Sequence, residues 1–289
     1  MLIRFIIIFI LSNTIATISW ANEFTEEKAA YKTKLIKTIP APQPYTEEQP
    51  PTGVELITYD SNGLKLKAWF AKPATKTDKK LPAIVYLHGG FSFGKQDFLD
   101  AQVFLENGFA LLTPMLRGEN GNPGHFEFLY GEVDDALAAV DWLQNHPDVD
   151  RSKIFIFGHS IGGAVADLTS LYRKEGVLLS GSAGALYSPE LFYNTPFPLP
   201  FDNADQKEVK LRSFAFNLKY MERKHAAYVS KQDLNRITVK LYGLGTDKYK
   251  NTLKVSIIEK DHYALLKPAM LHFIKGMKEF IKTAENEKK

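Results

Sequence analysis

Residues 153–164 read Lys153-Ile-Phe-Ile-Phe-Gly158-His-Ser160-Ile-Gly162-Gly163-Ala164. An apolar run rich in isoleucine and phenylalanine leads into the pattern G-x-S-x-G, and a helix-compatible stretch follows it. This order is typical of a nucleophile elbow, in which a tight turn lifts a serine out of a buried strand. The residues two before and two after the serine must be very small, because strand and helix close on each other there. Gly158 and Gly162 meet this requirement, which makes Ser160 the candidate nucleophile.

The alternative interpretation of this turn is a glycine-rich connection that carries an ordinary serine. A G-x-S-x-G match is only a hypothesis until its structural context supports it. The buried type of strand before Ser160 and the helical stretch after it both favour the elbow. A helix that begins near Ile161 would also direct its free backbone amides towards an oxyanion.

Apolar runs and amphipathic stretches alternate on both sides of the elbow. Residues 54–59 and 64–70 alternate with period two across an Asp60-Ser-Asn-Gly63 turn, which predicts an antiparallel hairpin with one wet face at a sheet edge. Short continuous apolar runs are typical of buried parallel strands. Such runs occupy residues 83–87, 109–114, 177–179, 225–229 and 253–258. Helical patterns occupy residues 96–107, 132–145 and 268–283, and the last places Met270, Phe273, Met277 and Phe280 on one face.

This alternation predicts an α/β fold: a mostly parallel central sheet of about eight strands, an N-terminal antiparallel hairpin and helices on both faces. The proline-rich residues 22–52 are expected to form an extended arm, and residues 53–289 one α/β domain. Residues 181–224 interrupt the strand rhythm and are interpreted as a cap-like insertion. Its aromatic side chains either line an apolar acyl pocket or only pack the loop, and they are Tyr187, Phe192, Tyr193, Phe197 and Phe201.

The first residues have the pattern of a secretory signal. Arg4 precedes an apolar run, and small residues end at Ala21, so residues 1–21 are predicted to be a signal peptide cleaved after Ala21. An uncleaved anchor is the alternative, but polar residues 12–14 interrupt the apolar run. We therefore expect a periplasmic or secreted protein with no stable membrane insertion after cleavage.

Composition excludes several function classes. The chain has 36 basic and 33 acidic residues, a formal charge of +3, which gives no sign of a nucleic-acid partner. It contains no cysteine, which excludes disulfides and a thiol nucleophile. The motifs imply no metal and no organic cofactor.

A serine nucleophile needs a base, and the seven histidines can be sorted by position. His262 follows the last predicted strand, at the sheet edge where the elbow serine is also expected. The base in turn needs a carboxylate. Asp233, after the penultimate strand, is preferred because it leaves room for a connecting helix, and Asp247 is its rival.

The oxyanion formed during acyl transfer needs two donors. The amide of Ile161 is the first candidate, and the second is an amide of the loop after His88, with Gly90 favoured and Phe91 next. His88 is interpreted as a structural histidine that hydrogen-bonds loop backbone. Arg117 is likewise interpreted as an anchor of its own loop.

A competing motif overlaps this loop. Residues 89–95, Gly89-Gly-Phe-Ser-Phe-Gly94-Lys95, satisfy the phosphate-binding pattern G-x-x-x-x-G-K. The next residue is Gln96, so the hydroxyl that would hold magnesium is absent. Nucleotide binding is therefore kept only as a minor alternative.

Five segments together resemble the catalytic domain of the prolyl oligopeptidase family and the dienelactone hydrolase-like α/β hydrolases. They are His88-Gly-Gly90, Met115-Leu-Arg-Gly118, residues 134–143, residues 149–163 and Asp261-His262. The resemblance covers residues 54–283. It implies the α/β hydrolase fold, the chain order Ser160, Asp233, His262 for the catalytic residues, and hydrolysis of peptide or ester bonds through an acyl-enzyme.

Two departures from that family bear on the substrate. The arm of residues 22–52 is far too short for the β-propeller that restricts large members to oligopeptides, and Ser230-Lys-Gln232 replaces the more usual glycine-bearing lead-in to the acid. The sequence thus predicts a serine hydrolase, either a peptidase or a carboxylesterase, that acts on a small-molecule ester or a short peptide. A catalytically silent binding protein of the same fold is the alternative.

Overall fold

The computed structural model describes residues 22–75, 77–231 and 248–286. Its centre is an eight-stranded sheet with the order β1-β2-β4-β3-β5-β6-β7-β8. The strands are β1 Val54–Ser61, β2 Leu64–Ala71, β3 Leu81–Leu87, β4 Ala110–Pro114, β5 Val149–His159, β6 Val177–Ala183, β7 His225–Ser230 and β8 Leu253–Ile258. β3 to β8 run parallel to one another, and β1 and β2 are antiparallel. The α/β class and the strand number predicted from sequence are confirmed.

The helices follow the predicted rhythm. They are α1 Glu23–Ala30, α2 Lys95–Glu106, α3 Gly131–Asn145, α4 Ser160–Thr169, α5 Gln206–Arg212, α6 Phe214–Asn217 and α7 Leu266–Asn286. Short 3₁₀ turns cover Pro189–Phe192 and Leu218–Tyr220. Of the four residues predicted for the inner face of α7, Met270, Phe273 and Met277 are buried, and Phe280 is partly buried.

The N-terminal hairpin forms because its turn has the right residues. Asn62 and Gly63 both have positive φ, of 50° and 85°, which suits a tight turn whose twist matches that of the flanking strands. β1 pairs with β2 along its whole length, from Val54 opposite Ala71 to Ser61 opposite Leu64. The hairpin ends the sheet at β1, as its half-wet pattern predicted.

Two apolar layers cover the sheet. On one face, side chains of β3 and β5 such as Tyr86 and Phe157 pack with Phe104 of α2 and Phe273 of α7. The opposite face packs against α3 and α4. Because both faces are covered, the ends of the parallel strands are where side chains can meet solvent.

The arm differs from the prediction. The prolines predict an extended arm over residues 22–52, but Glu23–Ala30 form a helix that Asn22 caps by accepting a hydrogen bond from the Thr25 amide at 3.0 Å. The helix lies wholly before the first proline of the arm, Pro40, so nothing in the backbone opposes it. Phe24 is 1% exposed, which shows that the arm packs against the domain.

The insertion begins later than predicted. Residues 181–183, which the sequence analysis placed in the insertion 181–224, are the end of β6 and pair with β5 and β7. Small residues are required at this point, because a Cβ on Gly181 would lie 2.6 Å from Phe273 Cε2 of α7. Within residues 22–75, 77–231 and 248–286, no helix is long and apolar enough to cross a membrane.

Candidate active site

The elbow geometry appears at the end of β5. Ser160 has φ of +52°, a conformation that non-glycine residues rarely adopt, and it begins α4. A Cβ on Gly158 would lie 2.1 Å from the carbonyl oxygen of Gly162, and one on Gly162 would lie 2.2 Å from that of His88. Both positions therefore have room only for glycine. Ser160 is half-buried, so its hydroxyl lies at the sheet edge rather than in the core.

His262 lies at the same edge, in the loop between β8 and α7. Its ring neighbours Gly184, where a Cβ would lie 3.1 Å from both Nδ1 and Cε1 of His262. Gly184 follows β6, the strand that pairs directly with the strand of Ser160. The His262 backbone carbonyl also lies 3.0 Å from Nε2 of His159, the residue before the serine. The structure thus brings His262 to the strand end next to Ser160.

The loop of His262 is fixed by local hydrogen bonds. Asp261 Oδ1 accepts from the amides of Tyr263 at 3.0 Å and Ala264 at 2.7 Å. These two bonds hold the pKa of the Asp261 carboxyl below its usual value, so Asp261 is ionised and serves as a turn residue. Ser230, the last residue of β7, donates to the carbonyl of Lys260. The end of β7 therefore supports the histidine loop.

Both candidates for the triad acid, Asp233 and Asp247, lie outside the described residues. β7 ends at Ser230, two residues before the undescribed stretch that begins with Gln232. The choice between the two carboxylates therefore remains as the sequence analysis left it, with Asp233 preferred.

The loop after β3 packs directly against the elbow. A Cβ on Gly89 would lie 2.9 Å from His159 Nδ1 and 3.4 Å from Ser160 Cβ, so the loop backbone approaches the elbow closely. Gly90 has φ of +73°. The amide of Phe91, the second-ranked oxyanion donor from sequence, donates instead to the Gln43 side-chain oxygen at 3.0 Å. The Ile161 amide lies in the first turn of α4, where helix amides have no intrahelical partner, and Gly90 and Ile161 stay the predicted oxyanion donors.

His88 joins this loop to the next one. Its Nε2 lies 3.1 Å from Glu119 Oε2 and its Nδ1 lies 3.0 Å from the Gly89 carbonyl oxygen. Burial alone would lower the pKa of His88, but the charge and hydrogen bond of Glu119 outweigh burial and raise that pKa to about 9. At neutral pH both ring nitrogens then carry protons and donate to these oxygens. This agrees with the structural role inferred from sequence, although the partner, Glu119, was not foreseen.

Arg117 anchors its own loop, as inferred from sequence. Its guanidinium makes a two-point contact with Asp135 of α3, with Nε 2.9 Å from Oδ2 and Nη2 2.8 Å from Oδ1. Nη1 donates to Glu127 at 2.7 Å. Arg117 thus binds the carboxylates of both Asp135 and Glu127. Its two-point contact with Asp135 ties the loop after β4 to α3.

The insertion contributes few exposed aromatic side chains. Of the five aromatic residues singled out in it, Tyr187, Phe192 and Phe201 are each 1% exposed and belong to the core. Only Tyr193, at 49%, and Phe197, at 40%, are open to solvent. Phe197 packs edge-on against Phe91 with ring centroids 4.7 Å apart. Phe216, which was not singled out from sequence, is a further exposed aromatic residue of the insertion, at 52%.

In the loop of residues 89–95, two backbone amides that a phosphate would need already donate to side chains. The Phe93 amide donates to Asn120 at 2.8 Å, and the Lys95 amide donates to the carboxylate of Glu48 at 2.6 Å. A phosphate bound at this helix start would have to displace that carboxylate, which carries the same sign of charge. The geometry thus disfavours a nucleotide in the loop of residues 89–95. In the described part of the chain, no group of three or more His, Asp or Glu side chains is arranged to hold a metal ion.

A second group of serine, histidine and aspartate side chains lies in the core. His225 Nε2 at the start of β7 is 2.7 Å from Asp167 Oδ1 of α4. Ser180 and Ser182 of β6 contact the two ring nitrogens of the same histidine, at 2.9 and 3.1 Å. All four side chains are 0–1% exposed. We call these four residues the core cluster.

The family of this chain is established by its match to a family model. A family model described as alpha/beta hydrolase fold matches residues 130–285, more than half of the chain, and the chain belongs to this family. A model of the X-Pro dipeptidyl-peptidase (S15 family) matches residues 62–177.

Individual proteins support the same class. The chain is 36% identical over 116 residues to an uncharacterized peptidase, YtmA, of Bacillus subtilis, a match that covers 40% of this chain and 44% of the relative. A further relative, the uncharacterized protein Rv2307c of Mycobacterium tuberculosis, is 29% identical over 157 residues, which cover 52% of this chain and 55% of the relative. The chain thus spans about half the length of the curated relatives it matches.

Solved structures share the fold at low identity. A puromycin-hydrolyzing peptidase of Mycobacterium tuberculosis aligns with a TM-score of 0.66 and 15% identity, over 81% of this chain and 41% of that protein. An esterase of Pyrococcus furiosus aligns with a TM-score of 0.63 and 15% identity, over 85% of this chain and 97% of the esterase. The fold therefore occurs in both peptidases and esterases.

Proposed function

We propose that this protein is a serine hydrolase that cleaves ester or peptide bonds through an acyl-enzyme. Ser160 is the nucleophile, His262 the general base, and Asp233 the carboxylate that orients His262, with Asp247 as the alternative. The amides of Ile161 and Gly90 form the oxyanion hole. No metal or organic cofactor takes part in this proposal.

The reaction would proceed in two steps. His262 takes the proton of Ser160 as the serine oxygen attacks the substrate carbonyl, and the two amides stabilise the negative oxygen that develops. The imidazolium then donates its proton to the leaving alcohol or amine. In the second step His262 activates a water molecule, which releases the acid and restores Ser160.

The strained backbone of Ser160 carries the proposal. A φ of +52° in a non-glycine residue costs free energy, and such strain is concentrated at functional sites. In support of a site at this edge, the loops that carry Gly89 and His262 both lie close to the strand ends beside Ser160. The neighbouring peptidases and esterases support hydrolysis as the reaction class.

The substrate is proposed to be a small ester or a short peptide. The arm packs on the domain, and three exposed aromatic residues of the insertion, Tyr193, Phe197 and Phe216, offer a modest apolar surface. Comparing p-nitrophenyl acyl esters with aminoacyl p-nitroanilides measures which bond is preferred.

The decisive experiment is labelling by a fluorophosphonate probe, which reacts with activated serine hydroxyls. The wild type is expected to be labelled and Ser160→Ala is expected to be unlabelled. An unlabelled wild type that also hydrolyses neither substrate class would indicate a silent binding protein instead. Labelling that persists in Ser160→Ala would place the nucleophile elsewhere.

We also propose that the protein is exported to the periplasm or beyond. The support is the sequence of residues 1–21, which lies outside the described residues. N-terminal sequencing of the protein recovered from cell fractions should find Asn22 as the first residue outside the cytoplasm. Recovery of an intact Met1 in the membrane fraction would indicate an uncleaved anchor.

A further inference from the structure

We propose that Gln43, in the N-terminal arm, is a positioning residue for the oxyanion loop. Its side-chain oxygen accepts the amide proton of Phe91 and so fixes the peptide that follows Gly90, which leaves the Gly90 amide as the donor of this loop to substrate. The inference rests on the proposed hydrolase function and adds a residue from a segment that carries none of the motifs.

The contact between Gln43 and the loop is close. The Phe91 amide lies 3.0 Å from Gln43 Oε1. A Cβ on Gly90 would lie 2.5 Å from the same oxygen, so the glutamine occupies the space that any other residue at position 90 would need. The amide of Gln43 therefore lies directly against the backbone that turns at Gly90.

The neighbouring peptide is held from the other side. The carbonyl of Gly89 and the amide of Gly90 belong to one planar peptide unit, and His88 Nδ1 binds that carbonyl at 3.0 Å. Gln43 fixes the next peptide unit through the amide of Phe91. Rotation at Gly90, whose φ of +73° is available to glycine at little cost, is thus restricted on both sides.

The arm itself is well anchored around Gln43. We call residues 39–48 the strap. Upstream of Gln43, the Ile39 carbonyl accepts from the Phe126 amide at 2.9 Å, and the Ala41 amide donates to the Gly118 carbonyl at 3.0 Å. Downstream, Glu48 accepts from the Lys95 amide at 2.6 Å. Because backbone or charged contacts hold the strap on both sides, a change of the Gln43 side chain should leave its path intact.

The role expected of Gln43 follows from how an oxyanion hole works. Its donors stabilise the transition state only if they already point at the developing charge, since reorienting them costs free energy during the reaction. A loop free to turn at Gly90 would lower the fraction of molecules with a correctly directed amide. The loss should therefore appear in kcat and hardly in KM.

The test uses the full-length protein and the variant Gln43→Met, which keeps the length of the side chain and removes its strong acceptor. Gln49→Met is the matched control, because it makes the same substitution at an exposed residue just beyond the strap. For Gln43→Met we expect kcat to fall about tenfold, with KM changed less than about twofold, since a misdirected donor costs less than a deleted one. The rate of fluorophosphonate labelling should fall in parallel.

Hydrogen–deuterium exchange gives a readout that does not depend on the substrate. Peptic fragments that contain Phe91 should exchange faster in Gln43→Met than in the wild type and in Gln49→Met. Gln43→Glu retains an acceptor and should keep Phe91 protected, which separates loss of the bond from loss of fold. Its carboxylate would oppose an oxyanion, so exchange and not turnover is its readout.

The outcomes separate this inference from the proposed function. Equal exchange at Phe91 in Gln43→Met and Gln49→Met would overturn the bond, and faster exchange with unchanged kcat would overturn the positioning role. A rise in KM at constant kcat would overturn it as well, because it would make Gln43 a substrate contact. Loss of labelling in wild type would instead reject the hydrolase proposal, whatever the exchange shows.

Discussion

The molecule contains two groups of serine and histidine side chains, one at the sheet edge and one in the core. At the sheet edge, Ser160 and His262 are half-buried, and the serine has a strained backbone. In the core cluster, Ser182 and His225 are fully buried, with His225 only 2.7 Å from Asp167. Ser180 and Ser182 contact the same histidine at 2.9 and 3.1 Å.

The difference shows what a hydrolytic site needs besides proximity. Solvent and substrate cannot reach the core cluster, and Ser182 lies in regular strand β6. Its side chains contact one another, and so they hold α4, β6 and β7 together. At the edge, glycines at 158 and 162 make room for a strained turn, and the glycine loop after β3 lies beside it. The core cluster is thus expected to affect stability, and the edge site to affect turnover.

The largest effect should come from removing the edge base. His262→Ala is expected to lower kcat/KM by about 10³-fold or more, because a serine without its base is a poor nucleophile. The free energy of unfolding should change by less than about 1 kcal/mol, since the ring is half-buried. Ester hydrolysis and urea unfolding measure the two quantities.

His272→Ala is the control for that variant, because His272 is exposed on α7 and bonds Tyr228 at 2.9 Å away from the edge. It should retain turnover. A full rate in His262→Ala would remove His262 from the mechanism and leave the edge site without its base.

The next effect concerns the core cluster. Asp167→Ala is expected to lower the free energy of unfolding by about 3–5 kcal/mol, because it breaks a fully buried pair and leaves His225 without its carboxylate. The molecules that remain folded should hydrolyse substrate at nearly the wild-type rate. Urea denaturation and active-site titration with the probe distinguish the two quantities.

Asp141→Ala removes an exposed carboxylate that pairs with Lys174 at 2.6 Å and should cost less than about 1 kcal/mol. If Asp167→Ala were no more destabilising than this control, the core cluster would not have the stabilising role assigned to it.

His88 combines features of both groups, since it is buried against a carboxylate but lies in an edge loop. Its pKa is raised to about 9, so the stability that it adds is complete below the unfolded value of about 6.5 and is lost as pH rises through 9. The unfolding free energy should fall by up to about 3 kcal/mol between pH 6.5 and 9.5. Denaturation series at fixed ionic strength measure this slope.

Glu119→Gln tests the cause of that slope. Burial lowers the pKa of His88, and the charges that oppose burial are those of Glu119 and, more weakly, Asp97. Without the Glu119 charge the histidine should be neutral at pH 7 and the slope above pH 6.5 should largely vanish. An unchanged slope would assign it to other groups.

The smallest effect is expected for a serine of the core cluster. Ser182→Ala removes contacts of 3.1 Å to His225 and 3.3 Å to Tyr187 and should cost about 1–2 kcal/mol. Its labelling by the fluorophosphonate should equal that of the wild type. Reduced labelling in correctly folded Ser182→Ala would mean that the two groups are coupled.

The strands and most helices were predictable because their patterns are local. Continuous apolar runs such as 83–87 are typical of strands in a sheet covered on both faces, and the period of α7 defines its inner face. The elbow was predictable for the same reason, because its steric requirement for glycine on both sides of Ser160 is a local sequence pattern.

The arm and the loop partners were not predictable, because their contacts are long-range. Lys28 is buried, and its ammonium donates to Asp134, which lies 106 residues away. No periodic pattern in α1 predicts that contact. Gln43 meets Phe91 across 48 residues, and Glu119 meets His88 across 31. The prolines predicted an extended arm, whereas tertiary hydrogen bonds fix its path.

The packing of the arm has a consequence for the order in which the chain folds. Asn22 donates to the carbonyls of Leu171 and Tyr220, which lie 149 and 198 residues further along the chain. The earliest part of the described chain to leave the ribosome therefore finds these partners only after that much more chain has been made. We expect this segment to dock last, with closure of the long loop slowing the final phase of folding.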